Sequence, residues 1–102
     1  MDVVLSERRG ACTVLTLNRP QLLNTISNPM LERLEAALDA EHDSDSRALV
    51  LTGAGRAFCA GSDLSEAHAD PQVRIRRVHT LIARLRGFPK PVITAINGLA
   101  LG

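Results

Sequence analysis

The sequence predicts an α/β fold, and three of its features carry that expectation. The chain opens with a short strand-like segment and a β-branched, mostly apolar one, joined by a glycine turn. Two later segments carry apolar residues at helical spacing, and a near-continuous apolar run follows each of them, at 48–51 and 92–96. Helix and strand in alternation mark a sheet covered by helices, and a strand that is apolar on both sides needs a layer above and another below. At 102 residues the chain reads as one domain, residues 1–102. A domain of that size buries a modest share of its surface, so a partner or further sequence would help it.

The elements follow in order. The first strand is expected over Val3–Arg8, the turn at Arg9-Gly10 and the second strand over Ala11–Leu17, paired as a hairpin. Pro20 stops that strand, because it has no N–H for a ladder and restricts Arg19 before it. A helix is expected over Pro29–Glu41: Ser27 or Asn28 can cap it, Pro29 suits its first turn, and Leu31, Leu34 and Leu38 share one face. The polar run His42–Ser46 ends it. Arg47–Thr52 then reads as a strand buried on both faces, reached through a crossover. A second helix is expected over Pro71–Arg86, with Ile75, Val78, Ile82 and Leu85 as its buried stripe and Arg74, Arg76, Arg77, Arg84 and Arg86 off it. Phe88–Pro91 breaks that helix, and Val92–Ile96 reads as another buried strand.

Composition excludes several classes of function. Twelve Lys and Arg stand against eleven Asp and Glu, a formal net charge of +1, which supplies no basic surface for nucleic acid or an anionic membrane. Phe58 and Phe88 are the only Phe, Trp or Tyr residues, too few for base-stacking platforms. Cys12 and Cys59 fit neither a disulfide framework nor a zinc spacing and read as free thiols of a reducing compartment. Met1-Asp2 opens without a basic leader, and no apolar run approaches the ~18 residues that span a bilayer. A soluble cytoplasmic protein is the expectation.

Chemistry is expected in two glycine-rich segments, Thr52–Leu64 and Asn97–Gly102, each leaving the end of an apolar strand. Loops at strand ends of α/β sheets are where ligands bind, and glycine lets backbone approach them closely. Free N–H groups in such loops can also face developing negative charge. A nucleotide site fits less well: Phe58 occupies the third small-residue position of a dinucleotide fingerprint, and no Gly-Lys-Ser/Thr is present.

A resemblance sharpens this. Leu17-Asn18-Arg19-Pro20 with Asn24, then Leu49-Val50-Leu51-Thr52-Gly53, then Ala57–Leu64, then Lys90-Pro91-Val92-Ile93 running into Asn97–Gly102, together resemble the crotonase (enoyl-CoA hydratase/isomerase) family. The landmarks span almost the whole chain, and the segments around Phe58–Leu64 and Lys90–Gly98 are specific in combination. The resemblance implies a crotonase-like (ClpP/crotonase) spiral of ββα units, incomplete at the C-terminus. It implies an acyl-CoA thioester as substrate, no cofactor or metal beyond the coenzyme A of that substrate, and assembly as trimers or hexamers. It also implies a thioester enolate held by two backbone N–H groups, one at Ser62 and one in a glycine loop that begins at Gly102. Ala60, Gly61, Ser62, Asp63 and Leu64 would line the pantetheine and thioester, and Gln21 and Leu22 would meet the adenine end. The family's hydratase carboxylates fall beyond Gly102, which leaves an alternative: a catalytically silent fragment that at most packs with a full-length relative.

Other candidates have plainer roles. Asp63 reads as a brace of its own loop. Cys59 packs as a small hydrophobe, and His42, His68 and His79 are solvated or packed. Nothing fixes Glu66 or Asp70 near a substrate carbon, and the arginines of the second helix serve CoA phosphates, solvent or a subunit contact. The sharpest geometric expectation is that Gly61, Ser62 and Gly102 converge, with the Ser62 N–H unengaged.

Overall fold

A computed structural model describes residues 2–63 and 70–101. Leu64, Glu66, His68 and Gly102 therefore lie outside the described residues. The elements are β1 (Val4–Arg9), β2 (Cys12–Leu17), a 3-10 turn (Pro20–Leu22), α1 (Asn28–Asp43), β3 (Ala48–Gly53), β4 (Ala57–Cys59), α2 (Pro71–Arg86), β5 (Val92–Ala95) and β6 (Leu99–Ala100).

The main sheet runs β1-β2-β3-β5. β1 and β2 form the antiparallel hairpin, turned through Gly10 at φ +58°, and β3 and β5 add in parallel. The α/β class expected from the pattern is the fold observed. Ser27 caps α1 by accepting from the Met30 N–H, with Pro29 in the first turn. α1 runs on through His42 and Asp43, two residues beyond its expected end. β4 and β6, which sequence reading treats as irregular, pair in parallel as a second small sheet. Three and two residues are too short for a strand's period of two to show.

Register explains where the core lies. Leu49 pairs with Thr13 and Val92, and Leu51 with Leu15, so these residues share one face of the sheet. That face receives Met30, Leu31, Leu34 and Leu38 of α1 and Leu81 of α2. The opposite face carries Val14, Val50 and Ile93 in register, and no described helix crosses it.

Three expectations about burial fail here. β3 is buried on one face only, with Leu49 and Leu51 buried and Ala48 and Val50 half-buried. β5 is not buried on both faces: Val92 is half-buried, while Ile93, Thr94 and Ala95 are exposed, because β5 is an edge strand whose far face has no cover among the described residues. The buried stripe of α2 is also rotated from the expected one. Ile75 and Ile82 remain 52% and 47% exposed, and Leu81 is buried with Val78 and Leu85 beside it. Polar contacts to α1 accompany this orientation. Three of the arginines turn toward α1: Arg77 makes two bonds to Glu35 (2.7 and 3.1 Å), Arg84 reaches Asp39 (2.6 Å), and Arg74 reaches Asn28 (2.7 Å). Rolling α2 to bury the isoleucines would carry these groups away from the acidic flank of α1. Each of the two half-exposed ion pairs contributes at most about 1 kcal/mol, so together with the Arg74–Asn28 bond they act as an orienting set.

Candidate functional site

The parallel strands β2, β3 and β5 end together near Leu17, Gly53 and Ala95, and both glycine-rich loops leave from that end. The loops pack backbone against backbone. A Cβ on Gly53 would strike the carbonyls of Ala57 and Phe58, and one on Gly98 would overlap the Arg56 carbonyl. Glycine at both positions is therefore a matter of space.

Two asparagines fasten this contact. Asn24, fully buried, takes the left-handed conformation (φ +55°) that asparagine tolerates better than most residues. Its Nδ2 donates to the carbonyls of Ala54 (2.9 Å) and Ala57 (2.8 Å), and its Oδ1 accepts from the Arg19 N–H (2.7 Å). From the exposed side, Asn97 donates to Gly55 (3.0 Å) and to the same Ala57 carbonyl (3.1 Å), and accepts from the Gly53 N–H (3.0 Å). Both residues are landmarks of the family resemblance, and no role is expected of either from sequence. An Asn four residues after a strand-ending proline, and another just before a glycine, are the available signals.

Beyond β4 the chain turns at Gly61 (φ +100°) and docks on the segment before α1. The Ala60 N–H donates to Leu23 O (3.0 Å), the Ile26 N–H to Gly61 O (2.8 Å), and the Asp63 N–H to Ile26 O (3.0 Å). This is a one-residue parallel bridge between Ile26 and Ser62. In this bridge Ile26 uses its own N–H and C=O while Gly61 and Asp63, flanking Ser62, supply the partners, so the Ser62 N–H is left out of the pairing. The Ser62 amide accordingly has no acceptor among the described residues, and Ser62 is exposed.

The other expected residues can now be placed. Gln21 and Leu22 are exposed on the 3-10 turn, which the Ala60–Leu23 bond holds beside the Ser62 loop. Asp63 pairs with Arg19 (3.0 Å), so its brace joins two loops 44 residues apart. Gly102 lies outside the described residues, but the Leu101 N–H donates to Cys59 O (2.9 Å), which brings the second loop to the start of the first. Cys59 is buried; desolvation raises its thiol pKa, and a hydrogen bond from the Gly61 N–H to its sulfur only partly offsets this. It packs in the core as a small hydrophobe. Asp70 caps α2 by accepting from the Gln72 N–H (3.0 Å).

One well-buried carboxylate is elsewhere. Glu41, 3% exposed, sits near Thr13 and Lys90, toward the opposite ends of the strands. Burial alone would raise its pKa, but hydroxyls of Ser46, Thr13 and Ser44 and the Lys90 ammonium together hold it below the usual value. Lys90 also donates to the α1 carbonyl of Glu41 (2.6 Å) and to Ser44 O (3.0 Å), a cation at a helix C-terminus. This cluster closes α1. No described helix is long and apolar enough to cross a membrane.

Comparison with known proteins accounts for this arrangement. The sequence pattern of enoyl-CoA hydratase/isomerase matches residues 12–102. A 1,2-epoxyphenylacetyl-CoA isomerase of Escherichia coli is 41% identical over 111 residues, covering all of this chain and 42% of that protein. A short-chain-enoyl-CoA hydratase of Clostridium acetobutylicum is 38% identical, covering all of this chain and 41% of that protein. The crystal structure of an enoyl-CoA hydratase from Bacillus anthracis superposes with a TM-score of 0.91 at 36% identity, over 98% of this chain and 42% of its own. The chain thus spans about two-fifths of the length of these relatives. It belongs to the enoyl-CoA hydratase/isomerase family and has the N-terminal part of the crotonase fold.

Proposed function

We propose that this chain is the acyl-CoA-binding part of an enoyl-CoA hydratase/isomerase-like enzyme, with the Ser62 N–H as one of two backbone donors to the thioester oxygen. The observation that carries the reading is the Ser62 amide: on an exposed residue, without an acceptor among the described residues, while the Ala60 and Asp63 amides beside it are engaged. An amide fixed in advance stabilises an enolate without reorganising when charge develops, and one such donor is worth about 2.7–4 kcal/mol in a transition state. The second donor belongs to the glycine segment that begins at Gly102, outside the described residues. Gln21 and Leu22, on the neighbouring turn, serve the far end of the coenzyme. The relatives named for CoA thioesters support this substrate class.

Proton transfer needs an acid or base within hydrogen-bond reach of the reacting carbons. Among the described carboxylates near the loops, Asp63 is held by Arg19 and Asp70 caps a helix. On this reading the described residues supply binding, and none of the described carboxylates near the loops is placed as the acid or base. Calorimetry with an acyl-CoA should show binding, and crotonyl-CoA should hydrate no faster than in buffer. Absence of binding contradicts the first half of the proposal, and robust turnover contradicts the second.

A further inference from the structure

The Ser62 amide is aimed by very little backbone structure. Among the described residues its bridge to Ile26 has two hydrogen bonds and no ladder continuing it, and Gly61 before it has glycine's wide conformational freedom at φ +100°. A donor on so short a pairing needs a second support, and one side chain spans the bridge. The Arg19 guanidinium donates through Nη1 to Thr25 O (2.7 Å) and Thr25 Oγ1 (3.3 Å), and through Nη2 to Asp63 Oδ2 (3.0 Å). Thr25 precedes Ile26 and Asp63 follows Ser62, so the planar fork of one arginine staples the two strands of the bridge.

Arg19 is itself fixed. Its N–H is bonded to Asn24 Oδ1 (2.7 Å), and its carbonyl accepts from the Leu22 and Asn24 amides (both 2.9 Å). The side chains of the Arg19–Asp63 pair are only 13% and 11% exposed, so salt screens them little. A largely buried ion pair contributes little net stability, but it can specify one arrangement over its alternatives. The same guanidinium belongs to the residue that starts the turn of Gln21 and Leu22, so it also couples the two loops assigned to the ligand.

We infer that Arg19 and Asp63 are positioning residues that hold the Ser62 N–H at the thioester oxygen; this rests on the proposed role of that amide. The test compares two ligands that differ only at the carbonyl: an acyl-CoA thioester and the CoA thioether in which the carbonyl is a methylene. Dissociation constants are measured for the protein and for Arg19→Gln, Asp63→Asn and Arg19→Lys, with melting temperatures alongside. The unaltered protein should prefer the thioester. Arg19→Gln and Asp63→Asn should lose about tenfold of that preference, the scale of one misaligned hydrogen bond. Arg19→Lys, which keeps the charge beside Asp63, should recover part of it and guards against misfolding of the other two. A preference that survives in the variants overturns the positioning role, as does an equal weakening toward both ligands. No preference in the unaltered protein overturns the role of the Ser62 amide first, and this inference with it.

Discussion

Leu49 in β3 is fully buried, while Ile93, one strand away in β5, leaves 54% of its surface exposed. Both come from short apolar runs that follow a helix, and the sequence does not distinguish them. The difference lies in neighbours. β3 has a strand on each side and its core-facing leucines meet α1 and α2, whereas β5 has one strand beside it and Ile93 points to the uncovered face. The same contrast runs through the helices: Leu31 and Leu38 of α1 are fully buried, while Val73, Ile75 and Ile82 of α2 are about half exposed. Apolar pattern identifies elements, and burial is decided by what lies across from them.

The largest effects should separate these regions. Leu31→Ala or Leu49→Ala should cost about 2–5 kcal/mol, the usual range for emptying a packed leucine site. Ile93→Ala or Ile75→Ala should change stability by no more than about 0.5 kcal/mol, as at exposed positions generally. Chemical denaturation followed by circular dichroism measures both, since there is no Trp or Tyr to report. Equal losses in the two sets would contradict the described burial.

A second contrast is between the two asparagines on the Ala57 carbonyl. Asn24 is buried and serves three backbone groups, so Asn24→Ala should cost about 1–3 kcal/mol by leaving buried polar atoms unpaired. Asn97 works from the exposed side, where water can replace it, and Asn97→Ala should cost less than about 1 kcal/mol. Unfolding midpoints of the two variants order them directly.

The acid limb of stability should come from the packed region. Glu41 has a lowered pKa in the folded state, so the unfolded chain binds its proton first as pH falls. Its contribution is fully present above the ordinary glutamate pKa and is lost as pH drops through the folded value, with a slope of at most about 1.4 kcal/mol per pH unit. Glu41→Gln should flatten this part of the stability-against-pH curve. Glu35, lowered by its Arg77 hydrogen bond, acts in the same direction, but it is over a third exposed and screened. The smallest effect is expected on the outer face of α2. Ile75→Ser with Ile82→Ser should leave the melting midpoint within a degree or two while lowering binding of a hydrophobic dye.

Much of the fold is legible in the sequence because its cues are local. Pro20 ends β2, Ser27 and Pro29 start α1, Gly10 turns the hairpin, and the leucines of α1 share a face. The rotation of α2 is not legible, since the polar contacts that accompany it join Glu35 and Asp39 to arginines more than forty residues away. β4 and β6 are too short to show a period, and they exist because two glycine loops fit against each other. At the candidate site, the loop around Ser62 could be marked from its glycines and from family resemblance. That Asp63 meets Arg19, and that Asn24 and Asn97 share one carbonyl, are long-range facts with no periodic signature.

The central claim is that the Ser62 N–H is an unengaged donor awaiting a thioester oxygen. The most direct measurement is the amide resonance of Ser62, with its hydrogen exchange, during titration with an acyl-CoA thioester and separately with free coenzyme A. The account predicts a fast-exchanging amide that shifts downfield and becomes protected with the thioester, and does neither with free coenzyme A. A Ser62 amide already protected without ligand, or unmoved while the thioester binds, would contradict it.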